Sequence, residues 1–280
     1  MRRVAFSVPL RVAVMGVTER HGWLVEGPAG WGEVSPLPGW NHAERRAADR
    51  SGAEAAAQPF PHMGAECAIN AMVPRLAPDE AAALALDSGC GTVKVKVGDA
   101  RGTDRVAAVR AAVGPRVRIR VDANGAWSVE QAVTEIERLR RYGIELVEDP
   151  VATLAGLALV RRRCGVPVAA ERAISSVADA GELRRLDAAD AVVLKPQRLG
   201  GLAATLAAAE AAGVPAIASS ALETSVGLAA VLAAAAALPP TPFAHGVGTA
   251  LLLGEDVTTQ PLSPVDGVLR VRRVVPDRVV

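Results

Sequence analysis

The sequence predicts an α/β protein, a modified TIM barrel of the (β/α)7β type with a small α+β capping domain. From residue 92 onward, short β-branched segments alternate with helical segments in a repeat of about 25 residues, which is typical of parallel βα units. Six or seven consecutive units favour a closed barrel over an open doubly wound sheet. The open sheet would also carry a glycine-rich phosphate loop after its first strand, and the segment VKVGDARGTD does not match that motif.

The first part of the chain predicts the capping domain. Residues 3–36 alternate apolar and polar side chains between glycine-containing turns, which predicts a small antiparallel meander. Two helices are predicted within residues 64–89, and the C-terminal segment 262–280 is predicted to return to the meander as a strand. These assignments place the capping domain at residues 1–88, together with the returning segment, and the barrel at residues 89–261.

The barrel elements follow in order. The predicted strands are short segments rich in β-branched residues, which favour extended structure. They cover residues 92–97, 117–122, 144–147, 166–170, 191–194, 214–218 and 242–246. The intervening segments are Ala-rich or amphipathic and therefore predict helices, one of which has a start signal at Ser128. These helices lie near residues 103–113, 128–141, 153–163, 176–186, 201–212 and 224–237.

Composition narrows the function. The 280-residue chain is 50% hydrophobic, which is sufficient for a sizeable core. Its 31 basic and 30 acidic residues give a net charge of +1, so no electrostatic feature indicates a nucleic-acid partner. Three cysteines without metal-type spacing fit a reducing cytoplasm better than a disulfide framework. The Ala-rich segment 226–238 is too short to span a bilayer, so we expect a soluble cytoplasmic protein with a small-molecule carboxylate substrate and no membrane partner. The oligomeric state stays open.

The three lysines are the most informative residues. Almost all basic residues are arginines, yet Lys94 and Lys96 stand two positions apart on one predicted strand. Residues i and i+2 of a strand share a face, so both are expected to point into the barrel. Lysine can release its proton beside other cations and arginine cannot, so Lys96 is the expected general base.

Ionisable residues recur at the ends of five consecutive predicted strands. Lys96 is followed, at intervals of 23 to 26 residues, by Asp122, Glu148, Glu171 and Lys195. The C-terminal ends of barrel strands meet at one mouth, so these side chains are expected to converge. Three converging acids require a divalent cation, and oxygen-only ligation favours Mg²⁺ or Mn²⁺. Such a site suits removal of a proton α to a carboxylate, with stabilisation of the enediolate that forms.

These residues resemble the enolase superfamily, in the group that is similar to muconate-lactonizing enzyme. The resemblance covers essentially the whole chain and includes the Lys-x-Lys strand, DANGAW, VEDP and KPQRLGG. Two further stretches, GWGEVSPLPGW and SSALETSVGLAA, resemble a family of dehydratases within that group, in its actinobacterial-type branch. Those dehydratases form an aromatic succinylbenzoate in menaquinone biosynthesis.

The resemblance implies a lyase that removes water from 2-succinyl-6-hydroxy-2,4-cyclohexadiene-1-carboxylate by syn elimination through an enediolate. Lys96 would remove the proton α to the ring carboxylate and pass it to the departing hydroxyl on the same face. Lys94 would help to polarise the carboxylate. Lys195, on the opposite face, would stay charged against the ring, where a cation–π attraction favours the aromatic product.

The resemblance also implies the metal ligands Asp122, Glu148 and Glu171, which would bind Mg²⁺, with Mn²⁺ as an alternative. The family usually has Asp-Glu-Ser after the strand that precedes Glu171. Here the longer Glu171 stands at the position of the aspartate, and Arg172 stands at the position of the glutamate, which reverses the charge there. Glutamate remains a good magnesium ligand. The candidate substrate-binding residues implied by the resemblance are Asn124, Ser219, Ser220 and Gly246.

Two other functions are also compatible with the sequence. The same lysines and metal could racemise N-acylamino acids, with Lys96 and Lys195 exchanging protons on opposite faces of one carbon. A non-catalytic barrel that binds a carboxylate ligand is the third alternative, and the presence of both lysines and three acids argues against it. Each residue alone fits an ordinary structural role, so only the joint spacing indicates a site. His245 lies near the predicted mouth, but we do not expect it to contact substrate.

Overall fold

The computed structural model describes residues 1–278 and begins with the predicted antiparallel meander. Its strands and the helix that packs on them are β1 (Arg2–Val14), β2 (Val17–Gly27), β3 (Gly30–Val34) and α1 (His42–Ala57). Met15 and Gly16 both have positive φ angles and form the tight turn between β1 and β2, as hairpin turns require. Asn41 starts α1 with a capping box, since its side chain accepts from the Glu44 amide and the Glu44 carboxylate accepts from the Asn41 amide.

The barrel has a sheet of seven parallel strands in chain order, with helices between them. After the short strand β4 (Glu66–Ala68), the sheet strands are β5 (Ala71–Val73), β6 (Thr92–Lys96), β7 (Arg118–Asp122), β8 (Ile144–Glu148), β9 (Val168–Ala170), β10 (Ala191–Leu194) and β11 (Ala216–Ala218). The helices are α2 (Pro78–Asp87), α3 (Gly102–Val113), α4 (Val129–Arg140), α5 (Leu154–Arg161), α6 (Val177–Leu186), α7 (Pro196–Leu199), α8 (Leu202–Ala212) and α9 (Ser225–Ala237).

A two-residue segment closes the barrel. His245 bridges in parallel to Ile69 ahead of β5, and Gly246 bridges in parallel to Ser219 after β11. The amides of His245 and Gly246 donate to the carbonyls of Ala68 and Ala218, both at 2.8 Å. The eighth strand, predicted at 242–246, is therefore reduced to these two bridging residues, and the predicted (β/α)7β order is confirmed.

The prediction of a helix just after residue 64 is wrong. This segment forms β4 and β5; Cys67 is buried between two exposed residues in β4, and every residue of β5 is buried. Their pairing partners lie more than a hundred residues away or in the next barrel strand, so local pattern did not reveal them. Because β5 pairs with β6, the chain enters the barrel well before the predicted boundary at residue 88.

The C-terminal segment also differs from the prediction. After the 3₁₀ helix Gly248–Leu252, strand β12 (Val268–Arg270) pairs with β4 rather than with the meander. Beyond β12, the Arg273 side chain contacts the end of α1 in the capping domain. The Arg273 guanidinium donates to the Ala55 carbonyl at 2.6 Å, near the end of α1, and lies 3.4 Å from the centre of the Phe60 ring.

The interior of the barrel below its mouth holds an apolar cluster and one buried arginine, Arg120, which lies 5.3 Å from the centre of the Phe243 ring. The residues of this cluster are Leu146, Ala169, Ala191, Val193 and Ile217, with Phe243 packed against them. Side chains fill the interior of a TIM barrel in layers, and its active site lies at the C-terminal ends of the strands. Within residues 1–278, no helix combines the length and apolar character needed to span a bilayer.

Candidate active site

Strand register brings the predicted residues together at the mouth. Lys96 of β6 stands beside Asp122 of β7, and Asp122 stands beside Glu148 of β8, in a single row across the sheet. Glu171 and Lys195 are the first residues after β9 and β10. Asp122 is fully buried, and Lys96, Glu148 and Glu171 are each less than a tenth exposed. The site is therefore part of the barrel interior.

Each lysine at the mouth is bound to an acid. The Lys94 ammonium lies 2.9 and 3.1 Å from the two carboxylate oxygens of Glu148 and 3.4 Å from Asp122 Oδ2. Lys96 Nζ donates to Asp122 Oδ2 at 2.5 Å and to Asn124 Oδ1 at 3.0 Å. Lys195 Nζ donates to Glu171 Oε2 at 2.7 Å. The mouth thus holds two groups of ion pairs, one around Lys94 and Lys96 and the other at Lys195.

The acids at the mouth differ in charge balance. Burial opposes ionisation of Asp122, but Lys96 and Lys94 outweigh it and hold the pKa of that carboxyl below its usual range. Burial also opposes ionisation of Glu171, and Lys195 and Arg198 outweigh it, so the pKa of Glu171 is lowered too. At Glu148, burial prevails over Lys94, and the pKa is raised. The lysines thus stabilise the charged form of Asp122 and Glu171 more than that of Glu148.

Asp149 is an acid whose role sequence reasoning missed, although it is the second acid of VEDP. One oxygen each from Asp122, Glu148 and Asp149 lie within 4.8 Å of one another, close enough to hold one metal ion. The Asp149 carboxylate also accepts from the backbone amides of Glu171 and Arg172, both at 2.9 Å. Burial, with Glu171 and Asp122 adding to it, raises the pKa of Asp149 well above its usual value. Asp149 therefore fixes the chain at Glu171.

The oxygens of Glu171 are bound by cations of the protein. Besides Lys195, the Arg198 guanidinium lies 3.3 Å from Glu171 Oε1. Arg198 Nε donates to Glu44 Oε1 at 2.6 Å, so one arginine joins the capping helix α1 to the acid after β9. Sequence reasoning missed this link, and the only signal was that Arg198 follows Lys195 by three residues in KPQR.

A cavity of about 340 Å³ lies at the mouth, between the barrel and the capping domain. Lys96 and Lys195 both line it, so the two lysines face a common space. Its apolar wall is formed by side chains of both domains: Val14, Met15, Val17, Leu37, Trp40 and Leu222. The β1–β2 turn thus reaches the mouth.

The predicted substrate-binding residues fall into two groups. Asn124 lines the cavity and accepts from Lys96, so it supports the lysine. Ser219, Ser220 and Gly246 are buried at the closing seam of the barrel and are not among the residues that line this cavity. Ser220 Oγ lies 2.6 Å from Thr249 Oγ1. Their predicted contact with the substrate tail stays a prediction.

His245 lies beneath the mouth, where its ring is hydrogen-bonded to the backbone. Its Nδ1 accepts a hydrogen bond from the Ala218 amide at 3.1 Å. Burial, with the charge of Arg120 adding to it, lowers the pKa of His245 to about 4. The ring is therefore neutral at physiological pH, which favours a structural role for His245.

Comparisons with known families cover nearly the whole chain. The family model for proteins with an enolase C-terminal domain-like fold matches residues 77–278, and the one for enolase N-terminal domain-like proteins matches residues 5–56. The o-succinylbenzoate synthase of Thermobifida fusca (strain YX) is 49% identical over 276 residues, which cover 96% of this chain and 87% of that protein. The o-succinylbenzoate synthase of Mycobacterium marinum is 44% identical, with 97% and 84% covered.

Solved structures with lower identity share the fold. Dipeptide epimerase from Enterococcus faecalis V583, complexed with Mg and the dipeptide L-Leu-L-Tyr, has a TM-score of 0.84 at 21% identity, over 98% of this chain and 97% of that chain. Muconate lactonizing enzyme from Pseudomonas fluorescens, complexed with muconolactone, has a TM-score of 0.83 at 22% identity, over 98% and 94%. Each match spans nearly all of this chain, and so includes both its capping domain and its barrel.

Proposed function

The chain belongs to the o-succinylbenzoate synthase family of enolase-like proteins, and we propose on this premise that it converts 2-succinyl-6-hydroxy-2,4-cyclohexadiene-1-carboxylate to o-succinylbenzoate. The reaction is a syn elimination of water, and it would belong to menaquinone biosynthesis in the cytoplasm. The names of the relatives and the lysine-rich mouth support the activity, and three free cysteines suit a reducing compartment.

The placement of the two cavity-lining lysines carries the proposal. Lys96 ends β6 and Lys195 follows β10, four strands further around a barrel of eight. Four steps around eight strands is half a turn, so the two ammonium groups approach the cavity from opposite walls. A flat ring bound between them presents one face to each lysine. This geometry suits a base on one face and a fixed positive charge on the other.

Lys96 would do the proton transfer. As the free amine it takes the proton from the carbon α to the ring carboxylate, and the electron pair of that C–H bond moves into an enediolate. Loss of the hydroxyl breaks the C–O bond and completes the aromatic ring. Lys96 gives its proton to the departing hydroxyl, so that water leaves and the lysine returns to its starting state.

Lys195 would stabilise charge. Glu171 holds its ammonium group at 2.7 Å, which keeps the cation in place against the opposite ring face. A cation over a ring becomes more favourable as the ring gains electron density and aromatic character. Lys94, bound to Glu148 and Asp122, would add positive charge near the ring carboxylate.

The residues at the mouth fit a divalent cation. Asp122, Glu148 and Glu171 would hold Mg²⁺ or Mn²⁺, all through oxygen atoms. Asp122 and Glu148 belong, with Asp149, to a group of acids whose oxygens lie within 4.8 Å of one another, which supports a cation at this position. When bound, the cation would supply positive charge for the two carboxylate oxygens of the enediolate.

N-acylamino acid racemisation is the second candidate, and the opposed lysines favour it as well. In that reaction Lys195 must exchange a proton, whereas in dehydration it only supplies charge. Lys195→Arg should therefore spare part of the dehydration and abolish racemisation, because arginine keeps the charge and holds its proton.

A three-part assay tests these functions. Precursor loss is followed in the ultraviolet with Mg²⁺ and again with EDTA, and an N-acylamino acid is followed by polarimetry. Dehydration that EDTA stops supports the proposal. Optical rotation decay alone would identify a racemase, and inactivity in every arm would leave only a carboxylate-binding barrel.

A further inference from the structure

The loop between β11 and α9, residues 219–224, forms part of the mouth wall in an unfavourable conformation. Leu222 lines the mouth cavity and has a φ of +64°, in the left-handed region that residues with a Cβ rarely adopt. Such a conformation persists only where surrounding contacts enforce it, and it is often found at functional sites. Several contacts of this loop come from the capping domain.

Two residues of the meander bind this loop. Arg20 of β2 is 2% exposed, and its Nε donates to the Leu222 carbonyl at 3.0 Å. Glu33 of β3 is also 2% exposed, and its carboxylate accepts from the amides of Thr224 at 3.1 Å and Gly227 at 3.0 Å. The hydroxyls of Ser35 and Thr224 donate to the same carboxylate. The capping domain therefore holds the loop at Leu222 and just beyond it.

Glu33 acts as the N-terminal cap of a barrel helix that lies in the other domain. Thr224 stands at the N-cap position of α9, but its own side chain does not cap the helix. The Glu33 carboxylate takes that place, where the free amides and the helix dipole favour negative charge. Gly227 leaves space for two acids, because a Cβ there would lie 2.6 Å from Glu223 Cβ and 2.9 Å from the Glu33 carboxylate carbon. The helix start is thus shaped to receive an acid from the capping domain.

The same contacts extend to α7, which follows Lys195. Gln197 accepts from the Ser35 amide at 2.9 Å and donates to Glu223 Oε1 at 3.2 Å. We name these six residues the junction cluster: Arg20, Glu33, Ser35, Gln197, Glu223 and Thr224. The cluster is buried throughout and lies between the meander and two loops of the mouth.

We propose that Glu33, together with Arg20, is a positioning residue that sets substrate fit by holding Leu222 in the wall of the mouth. The proposal rests on the proposed dehydration for its kinetic readout. Glu33 does not touch the reacting atoms. It acts through the loop, so its loss should weaken the fit of the substrate ring more than it slows the proton transfer.

A double-mutant cycle tests the proposal with the full-length protein. Glu33→Ala is expected to raise KM for the cyclohexadiene precursor by roughly tenfold and to change kcat far less, as loss of an apolar contact does. Leu222→Gly removes the same wall and should raise KM similarly. If Glu33 works through Leu222, the double variant raises KM no further than either single variant. Effects on KM that multiply would show that Glu33 acts elsewhere.

Asp256→Ala is the matched control. The Asp256 carboxylate accepts from the Ser225 amide at 3.2 Å and from its hydroxyl at 2.6 Å, so it caps the same helix from within the barrel domain. This variant should lower stability without changing KM. Equal effects of Glu33→Ala and Asp256→Ala on stability, with KM unchanged in both, would make Glu33 a helix cap and overturn the proposal.

Hydrogen–deuterium exchange of residues 219–223 supplies a readout that needs no substrate. Exchange should accelerate in Glu33→Ala and stay close to wild type in Asp256→Ala. If the wild-type protein fails to consume the precursor, the proposed function is wrong, and the exchange comparison alone then decides whether Glu33 holds the loop. Glu33→Gln keeps the side-chain length and serves if Glu33→Ala does not fold, with smaller effects expected in the same direction.

Discussion

The mouth of the barrel and the junction cluster both contain buried acids, but these acids have different partners. At the mouth, Asp122 and Glu148 bind the ammonium groups of Lys96 and Lys94. In the junction cluster, Glu33 binds backbone amides and hydroxyls. An ammonium group can give up its proton during a reaction, whereas a backbone amide only fixes geometry. The hydrogen-bond partner, rather than the burial, therefore separates carboxylates suited to chemistry from those that hold the fold.

The largest expected effect comes from changing a mouth partner. Lys96→Arg keeps a cation beside Asp122 but removes a proton that can be released, so kcat for dehydration should fall by roughly 10²–10⁴-fold. Steady-state kinetics measures the loss, and thermal unfolding should show a melting temperature close to that of the wild type. A kcat within a few-fold of wild type would show that the ion pairs at the mouth are structural. Acids bound to ammonium groups would then have the same role as acids bound to amides.

The second effect concerns His245, which is bound to the backbone like the junction acids. Its pKa is lowered to about 4, against about 6.5 in an unfolded chain. Protonation therefore favours unfolding, and stability should fall as the pH drops from about 6.5 towards about 4, by up to about 3 kcal/mol. His245→Asn keeps an acceptor for the Ala218 amide and should remove this part of the pH dependence of stability. Denaturant unfolding between these pH values compares the two proteins, and parallel curves would contradict the assignment.

Two arginines near the C-terminus, Arg273 and Arg270, also differ in the type of partner that they bind. Arg273 donates to the Ala55 carbonyl and packs on Phe60, so Arg273→Ala should lower the free energy of unfolding by about 1–3 kcal/mol. Arg270 makes an exposed ion pair with Glu66, so Arg270→Ala should cost no more than about 1 kcal/mol. Urea unfolding measures both. A larger loss in the Arg270 variant would show that partner type does not decide these energies.

The smallest effect is on metal binding. At ten times its Kd, Mg²⁺ should raise the free energy of unfolding by about 1.4 kcal/mol, and EDTA should reverse the gain. Asp122→Asn should abolish the gain, because it removes a carboxylate from the mouth. Glu223→Gln changes an acid of the junction cluster and should retain it. An equal Mg²⁺ response in Asp122→Asn would locate the metal away from the mouth.

The residues that sequence could predict are those that repeat along the chain. Lys96, Asp122 and Glu148 occupy equivalent positions in successive βα units, so a regular barrel brings them into one row. The strands were recognisable for the same reason, since each is a short β-branched segment followed by a helix. Periodicity of this kind is a local property of the sequence, so it can be recognised without knowledge of the tertiary structure.

The contacts that the sequence could not predict are single contacts between distant segments, which do not recur along the chain. Arg198 meets Glu44 across 154 residues, and Glu33 meets Gly227 across 194. The local pattern predicts a helix where β4 and β5 lie, because the partners that make these segments strands are in β12, at His245 and in β6. Such pairs leave no repeat in the sequence. The fold of the barrel was therefore predictable, and its attachment to the capping domain was not.

The two-residue seam at His245 and Gly246 has a consequence for biosynthesis. Until these residues leave the ribosome, β5 and β11 present unpaired edges, which invite association with other nascent chains. Strand β4 pairs with β12, which is made later still, so the strand just ahead of the barrel is among the last to find its partner. Ribosome-bound chains truncated before residue 245 should depend on chaperones to stay dispersed, and chains that extend past β12 should be released from that dependence.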